Sequence, residues 1–135
     1  MEAHRTLAES IIADLADAII YADRAGAIVL WNAASAALFG YSSHEALGQR
    51  LDLIIPEHLR APHWRGFDAA MTRGALKLQG RPTLTRALHK SGCRLYVEMT
   101  FAIVTGADGR PLGSVAMARN VTERVERERA AHTPL

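Results

Sequence analysis

His63 is the side chain whose place in the sequence most readily suggests chemistry. Counting on by four residues from His63 gives Phe67 and then Met71, so the imidazole heads an apolar stripe at helical spacing. Pro62 fits the first position of that helix, because its fixed φ suits a first turn and its missing amide would be unpaired there. The pattern predicts a histidine that faces a protein core.

Two interpretations of this histidine are open from the spacing alone. In the first, the His63 ring makes one hydrogen bond inside a packed core, which is the commoner fate of a single histidine on an apolar face. In the second, the ring is a metal ligand. In a first helical turn the positive end of the helix dipole disfavours imidazolium, which keeps a ring nitrogen lone pair free for a metal.

The composition limits the class of protein. A chain of 135 residues is long enough for one domain with a core of its own. The net charge is +2 and the basic residues do not gather into one run, which argues against nucleic-acid binding. Cys93 is the only cysteine, so no intramolecular disulfide can form, and no Cys/His cluster suggests a zinc site. We therefore expect a reducing, cytoplasmic location.

Two further classes are disfavoured. The most apolar stretch, residues 11–30, contains Asp14, Asp17, Asp23 and Arg24, so we expect no membrane span. No serine, histidine and carboxylate set has hydrolase spacing, and no glycine-rich loop resembles a phosphate cradle. We expect a binding protein and not an enzyme.

The chain is predicted to run from two strands through several short helices to three more strands. Period-2 patterns and turn residues predict strands at 18–23, 27–31, 82–88, 94–104 and 112–121. Asn32 and Ser42 or Ser43 are suited to begin short helices that glycines at 40 and 48 end. In the fourth strand Leu95, Val97, Met99, Phe101 and Ile103 share one face.

Helices are predicted at both ends, which divides the chain into an N-terminal amphipathic helix (1–16), a central domain (17–121) and a C-terminal helix (122–135). In the first helix Leu7, Ile11 and Leu15 recur every four residues, and this stripe needs a partner. The partner is either the outer face of the domain's own sheet or the same helix of a second subunit. Thr122 is expected to cap an exposed or coiled-coil helix rich in Glu and Arg.

Two long strings carry a resemblance to a known family. AIIYADRAGAIVLWNAASAALFGYSSHEALGQRLDLIIPEH is similar to the first half of a PAS domain, and HKSGCRLYVEMTFAIVTGADGRPLGSVAMARNVTERVERE is similar to the second. The resemblance implies an α+β fold. In it, a five-stranded antiparallel sheet, short helices and one longer helix enclose a ligand pocket, and helices flank the domain. PAS domains are mostly sensory or dimerising modules of signalling proteins.

The resemblance also bears on the cofactor. PEHLRAPHWRGF resembles the segment of bacterial haem-PAS sensors in which a histidine on the long helix ligates the iron, and His63 falls on that position. The family's flavin photosensors carry a reactive cysteine on this helix. Residues 56–71 have none, so the resemblance does not imply photoadduct chemistry.

The opposite wall of such a pocket would come from the sheet. By spacing, the position of the oxygen-binding arginine in those sensors falls within 81–84, with Thr83 as the nearest match, Arg81 two residues earlier and Leu84 next to it. Met99 and Met117 are predicted to face inward, where their sulfurs either bind the iron or fill the core. The other five histidines are expected at the surface.

The leading hypothesis is a sensory PAS domain that binds haem b through His63. It would sense a diatomic gas or the iron redox state and relay the change through the sheet and terminal helices to an effector. The alternative is a PAS domain without haem that dimerises or holds another small ligand. Under either hypothesis we expect a homodimer that pairs through the N-terminal helix and the outer face of the sheet.

Overall fold

The computed structural model describes residues 5–75 and 80–132. The helices are α1 (Leu7–Asp14), α2 (Ala33–Phe39), α3 (Ser43–Ala46), α4 (Glu57–Arg73) and α5 (Thr122–Ala131), with a 3-10 turn at Leu51–Ile54 between α3 and α4. The strands are β1 (Ala18–Asp23), β2 (Ile28–Trp31), β3 (Thr83–Leu88), β4 (Arg94–Thr105) and β5 (Pro111–Asn120). Residues 1–4 of the predicted first helix and 133–135 of the predicted C-terminal segment lie outside the described residues.

The five strands form one antiparallel sheet in the order β2-β1-β5-β4-β3. The first hairpin forms as predicted, because the Asp23 carboxylate accepts hydrogen bonds from the backbone N–H groups of Ala25 and Ala27 at 3.0 Å. The predicted α+β fold with a five-stranded antiparallel sheet is confirmed.

The core lies on the inner face of the sheet. The predicted alternation of β4 is confirmed, since Leu95, Val97 and Met99 are buried and Phe101 packs beside them. Helix α2 closes this side through the fully buried Phe39. The burial of these apolar side chains is what holds α2 and α3 on the sheet.

Asn32 caps α2 as predicted and does more than cap it. Its side-chain oxygen accepts from the backbone N–H groups of Ser35 and Ile19, and from the Ser35 hydroxyl at 2.9 Å. Its amide donates to the carbonyl oxygens of Ile12 and Asp17. One buried side chain therefore joins α1, β1 and α2.

The predicted start of the long helix is wrong. α4 begins at Glu57, so Pro62 lies inside it and His63 is its seventh residue. The first turn forms because the Leu59 N–H donates to the Pro56 carbonyl, and because the Arg60 side chain donates to the Ile55 carbonyl at 3.0 Å. The dipole of a first turn therefore does not act on His63.

Both terminal helices differ in detail from their predictions. α1 begins after an N-cap at Thr6 and ends at Asp14, so Leu15 follows the helix. α5 begins at Thr122 itself, with Val121 at the N-cap position. α5 is not fully exposed, because Val125 is buried.

Candidate functional site

Helix α4 carries the candidate site. The end of this helix and its buried face determine how it is placed. Its last residue, Arg73, is followed by Gly74 in the left-handed conformation, which ends the helix. Its inner face is apolar, since Phe67, Ala70 and Met71 are buried. The helix therefore turns the face that begins at His63 toward the sheet.

The His63 imidazole is half-buried, and its Nδ1 atom is buried without a hydrogen-bond partner among the described residues. Burial lowers the pKa of His63, and Arg50 lowers it further, whereas the carboxylates of Asp52 and Asp68 act in the opposite direction. Burial is the largest of these effects, so His63 is a neutral imidazole near neutral pH. A neutral ring with an unpaired buried nitrogen is suited to bind a metal.

The stripe predicted below His63 is present. The His63 and Phe67 ring centroids are 6.0 Å apart. Phe67 and Met71 form a buried cluster with Ala22 of β1, and Ile103 of β4 packs against them. These side chains occupy the space between α4 and the sheet, so α4 lies directly on the strands.

Trp64 is a residue of this region that the sequence analysis missed. Its indole N–H donates to the Asp52 carboxylate at 2.7 Å, and the Arg50 guanidinium carbon lies 4.2 Å from the ring centroid. Its ring also makes edge contacts with His63 and Phe67, with centroid distances of 4.7 and 5.3 Å. The i, i+3 spacing of Trp64 and Phe67 is the signal that could have found it.

Five residues in or next to the sheet were predicted to line the site. Thr83 and Met99 lie on the sheet face toward α4, whereas Arg81, Leu84 and Met117 do not. Met99 is buried on the inner face, and the half-buried Thr83 is its register partner. Arg81 is exposed ahead of β3.

Met117 and Leu84 lie on the outer face, so the prediction that Met117 faces inward is wrong. Met117 pairs with Ile19 and Thr100, and its side chain is 42% exposed. Leu84 pairs with Glu98 on the same outer face and is 54% exposed. The inner positions of β5 are instead occupied by Ala116 and Ala118. Thioether ligation from Met117 on the inner side is therefore excluded.

Within the described residues, the remaining histidines and the cysteine are not gathered at this site, and His4 lies outside those residues. His44, His58 and His132 are exposed, as predicted, and so is Cys93. His89 departs from its prediction, since it is half-buried and its ring contacts Gly40. Within residues 5–75 and 80–132, no three His, Cys, Asp or Glu side chains are grouped so that they could hold a metal ion.

The sequence predicts no membrane span. Among the residues that the structure describes, no helix is both long and apolar enough to span a bilayer.

The sequence of the chain matches a known family. The family model described as "PAS fold" matches residues 6–121. The chain belongs to the PAS family. The predicted PAS resemblance is thereby confirmed, and the match covers every strand of the sheet as well as α1.

Two bacterial proteins are similar in sequence to this PAS domain. An uncharacterised protein of Azorhizobium caulinodans is 35% identical over 115 residues, which are 84% of this chain and 15% of that protein. The sensor protein FixL of Bradyrhizobium diazoefficiens is 36% identical over 63 residues, 47% of this chain and 12% of that protein. The PAS domain thus spans a small fraction of the length of either relative.

Solved structures agree with the fold. A PAS domain from Colwellia psychrerythraea superposes with a TM-score of 0.75 at 24% identity, covering 85% of this chain and 94% of that one. An RNA-binding light-oxygen-voltage receptor superposes with a TM-score of 0.71 at 26% identity, covering 88% of this chain and 33% of that one. A protein named as a sensor and a light-oxygen-voltage receptor are thus among the proteins that this PAS domain resembles.

Proposed function

We propose that this PAS domain is a non-enzymatic sensor that binds haem b, with His63 as the protein ligand of the iron. The observation that carries the proposal is the buried, unpartnered Nδ1 of a half-buried, neutral His63. An unpaired buried polar atom costs folding free energy, and a ligand that engages the ring would offset that cost. The similarity to a protein named as a sensor supports the same proposal.

The residues around His63 fit such a group in character. Phe67, Met71 and Ile103 supply an apolar surface for a planar macrocycle, and Met99 and Thr83 belong to the sheet face across from the helix. The described residues hold no cluster of metal-ligating side chains, and a porphyrin supplies four nitrogens of its own. When bound, haem supplies an iron that takes a diatomic gas or changes redox state.

The space between α4 and the sheet is closed by side chains, so binding requires α4 to move outward. Phe67 and Met71 touch the cluster around Ala22 in the closed arrangement. Their contacts must be exchanged for contacts with the ligand. Binding is therefore coupled to the position of α4, which is the property that a sensor needs.

Hydrogen bonds join the sheet to the start of the exit helix. β4 lies beside β3 and β5 and carries inner-face residues that face α4's side. The Thr122 hydroxyl and the Val121 N–H both bond the backbone of Tyr96 in β4, so α5 starts from that strand. We propose that a change at the inner face reaches an effector through α5, in the cytoplasm.

The test is haemin titration of the purified chain. We expect a Soret band that saturates at about one iron per chain and survives gel filtration. His63→Ala should weaken haemin retention by about 100-fold, since loss of even a supporting contact of a metal ligand costs about 10- to 100-fold. His58→Ala, on the same helix but exposed, is the matched control and should bind like wild type.

Two results would contradict the proposal. If the wild-type protein takes up no haemin, the proposed cofactor is wrong. If the His63→Ala and His58→Ala variants lose haemin equally, the assignment of His63 as the iron ligand is wrong.

A second candidate function is favoured by the closed packing of α4 and the apolar surface of α1. In it the domain carries no haem and serves as a dimerisation or small-ligand module of a signalling protein. Leu7 and Ile11 on α1 are 78% and 52% exposed, and Leu15 just after it is 41% exposed. We propose that a second copy of the chain covers this stripe together with part of the outer sheet face, whichever ligand α4 receives.

A further inference from the structure

Trp64 is held by two groups that lie outside α4. Asp52, in the 3-10 turn, accepts the indole N–H at 2.7 Å. Arg50, just before that turn, places its guanidinium over the ring at 4.2 Å from the centroid. A hydrogen bond to a carboxylate is stronger than one between neutral groups, and a cation over an indole face adds an electrostatic attraction. The two groups hold one side chain from two directions.

A third contact places the indole on the first hairpin. A Cβ atom at Gly26 would lie 2.2 Å from Cη2 of Trp64, and Gly26 has a φ of +83°. The indole therefore lies directly on the backbone of the β1–β2 turn, where only glycine leaves room for it. Trp64 thus joins α4 to two segments that precede it.

The same side chain is adjacent to the proposed ligand of the iron. The Trp64 and His63 ring centroids are 4.7 Å apart, and the Trp64 and Phe67 ring centroids are 5.3 Å apart. Any outward movement of this part of α4 has to withdraw the indole from Gly26 and break its contacts with Arg50 and Asp52. These contacts oppose the movement that a ligand at His63 needs.

We propose that Trp64, Arg50 and Asp52 form a latch that keeps α4 closed, and that its release admits a planar apolar ligand to His63. The latch is a property of the ligand-free fold, and its consequence for binding rests on the proposed function. If the binding-competent state is open, the apparent dissociation constant equals the intrinsic one divided by the open fraction. Weakening the latch then raises the open fraction and tightens binding.

The first measurement is hydrogen exchange of the ligand-free protein, resolved by segment. Arg50→Ala and Trp64→Phe should each speed exchange of the α4 amides by about fivefold, the equivalent of one lost cation–π contact or hydrogen bond. Exchange of the β4 amides should stay at its wild-type rate, because the opening is local. Arg65→Ala is the matched control, since it removes the same charge from an exposed position on α4.

The second measurement is haemin binding by the same variants. Arg50→Ala should take up haemin faster and bind it about fivefold more tightly than wild type, whereas Arg65→Ala should not differ. If Trp64→Phe does not fold, Arg50→Ala decides alone, because Arg50 is an exposed side chain.

The outcomes separate the latch from the cofactor. Unchanged α4 exchange in Arg50→Ala, or an equal rise in Arg65→Ala, overturns the latch. A general rise that includes β4 also overturns it, because the substitution has then lowered global stability. Faster α4 exchange in a protein that takes up no haemin supports the latch and overturns the proposed cofactor.

Discussion

Thr122, the first residue of α5, is joined to Tyr96 of β4 by a pair of hydrogen bonds between one side chain and one backbone unit. The Tyr96 N–H donates to the Thr122 hydroxyl oxygen at 2.9 Å, and that hydroxyl donates to the Tyr96 carbonyl at 3.4 Å. The Arg124 guanidinium adds an ion pair to Glu98, two residues further along β4, at 3.5 Å. The start of the exit helix is thus held to the strand that lies between β3 and β5.

Removal of the Thr122 hydroxyl should release α5. We expect Thr122→Ala to lower the free energy of unfolding by about 1 kcal/mol and to speed exchange of the α5 amides, because the Tyr96 N–H loses its acceptor. Thr122→Ser keeps the hydroxyl and is the matched control. Urea unfolding and segment-resolved hydrogen exchange measure the two effects; wild-type α5 exchange in Thr122→Ala would show that the contact does not hold the helix.

Asn32 should be the most sensitive polar position of the fold. Its side chain makes five hydrogen bonds from a buried site. We expect Asn32→Ala to lower the free energy of unfolding by about 3 kcal/mol or more, since it leaves buried backbone groups unpaired. Ser42→Ala removes the exposed capping box of α3 and should cost only about 1 kcal/mol. Equal losses in urea unfolding would contradict this account of Asn32.

The lowered pKa of His63 predicts a pH dependence of stability in the ligand-free protein. The unfolded chain takes up a proton near pH 6.5, the ordinary value for histidine, whereas the folded chain does so only at a lower pH. The stability that His63 contributes through its lowered pKa is therefore fully present above about pH 6.5. It is lost as the pH falls from there to the pKa of His63 in the folded chain. Below the folded pKa the contribution no longer changes.

The measurement is the difference in free energy of unfolding between wild type and His63→Gln across that range. Taking a difference removes the titration of the other histidines, and Asp52, Arg50 and Asp68 remain in both proteins. The difference should be constant above about pH 7. As the pH falls below that, the free energy of unfolding of the wild type should decrease relative to that of His63→Gln. A difference that does not vary with pH would show that His63 titrates normally in the folded protein.

The exposed stripe of α1 should be needed for self-association. We expect the full chain to sediment as a dimer at about 50 μM and a Leu7→Ser, Ile11→Ser double variant as a monomer, because the variant removes apolar surface that the dimer buries. Point variants are preferable to deletion of the helix, since the Ile12 carbonyl accepts a hydrogen bond from Asn32. Leu47→Ser is the control, because Leu47 is an exposed leucine outside the stripe. A monomeric wild type would refute the proposed pairing.

Much of the fold could be predicted from local patterns. The β1–β2 hairpin follows from a turn residue beside β-branched runs, and the inner face of β4 follows from large apolar residues at every second position. The stripe from His63 to Met71 follows from helical spacing in the same way, because side chains four apart share a face wherever the helix starts.

The tertiary structure alone decided where α4 begins and which face of β5 is inner. Pro62 suits a first turn, but Arg60 bonds the Ile55 carbonyl and helps the helix to start before it. Both faces of β5 are apolar, so alternation defines two faces without saying which is buried. The inner face lies against α2 and receives Ala116 and Ala118, which turns Met117 outward.

The contacts of Trp64 could likewise not be predicted from the sequence. Gly26, Arg50 and Asp52 lie 12 to 38 positions before Trp64, and no local period relates residues that far apart. Local spacing placed His63 on a helix and on its buried face. What surrounds His63, and what holds its helix closed, depends on which distant segments the fold brings against α4.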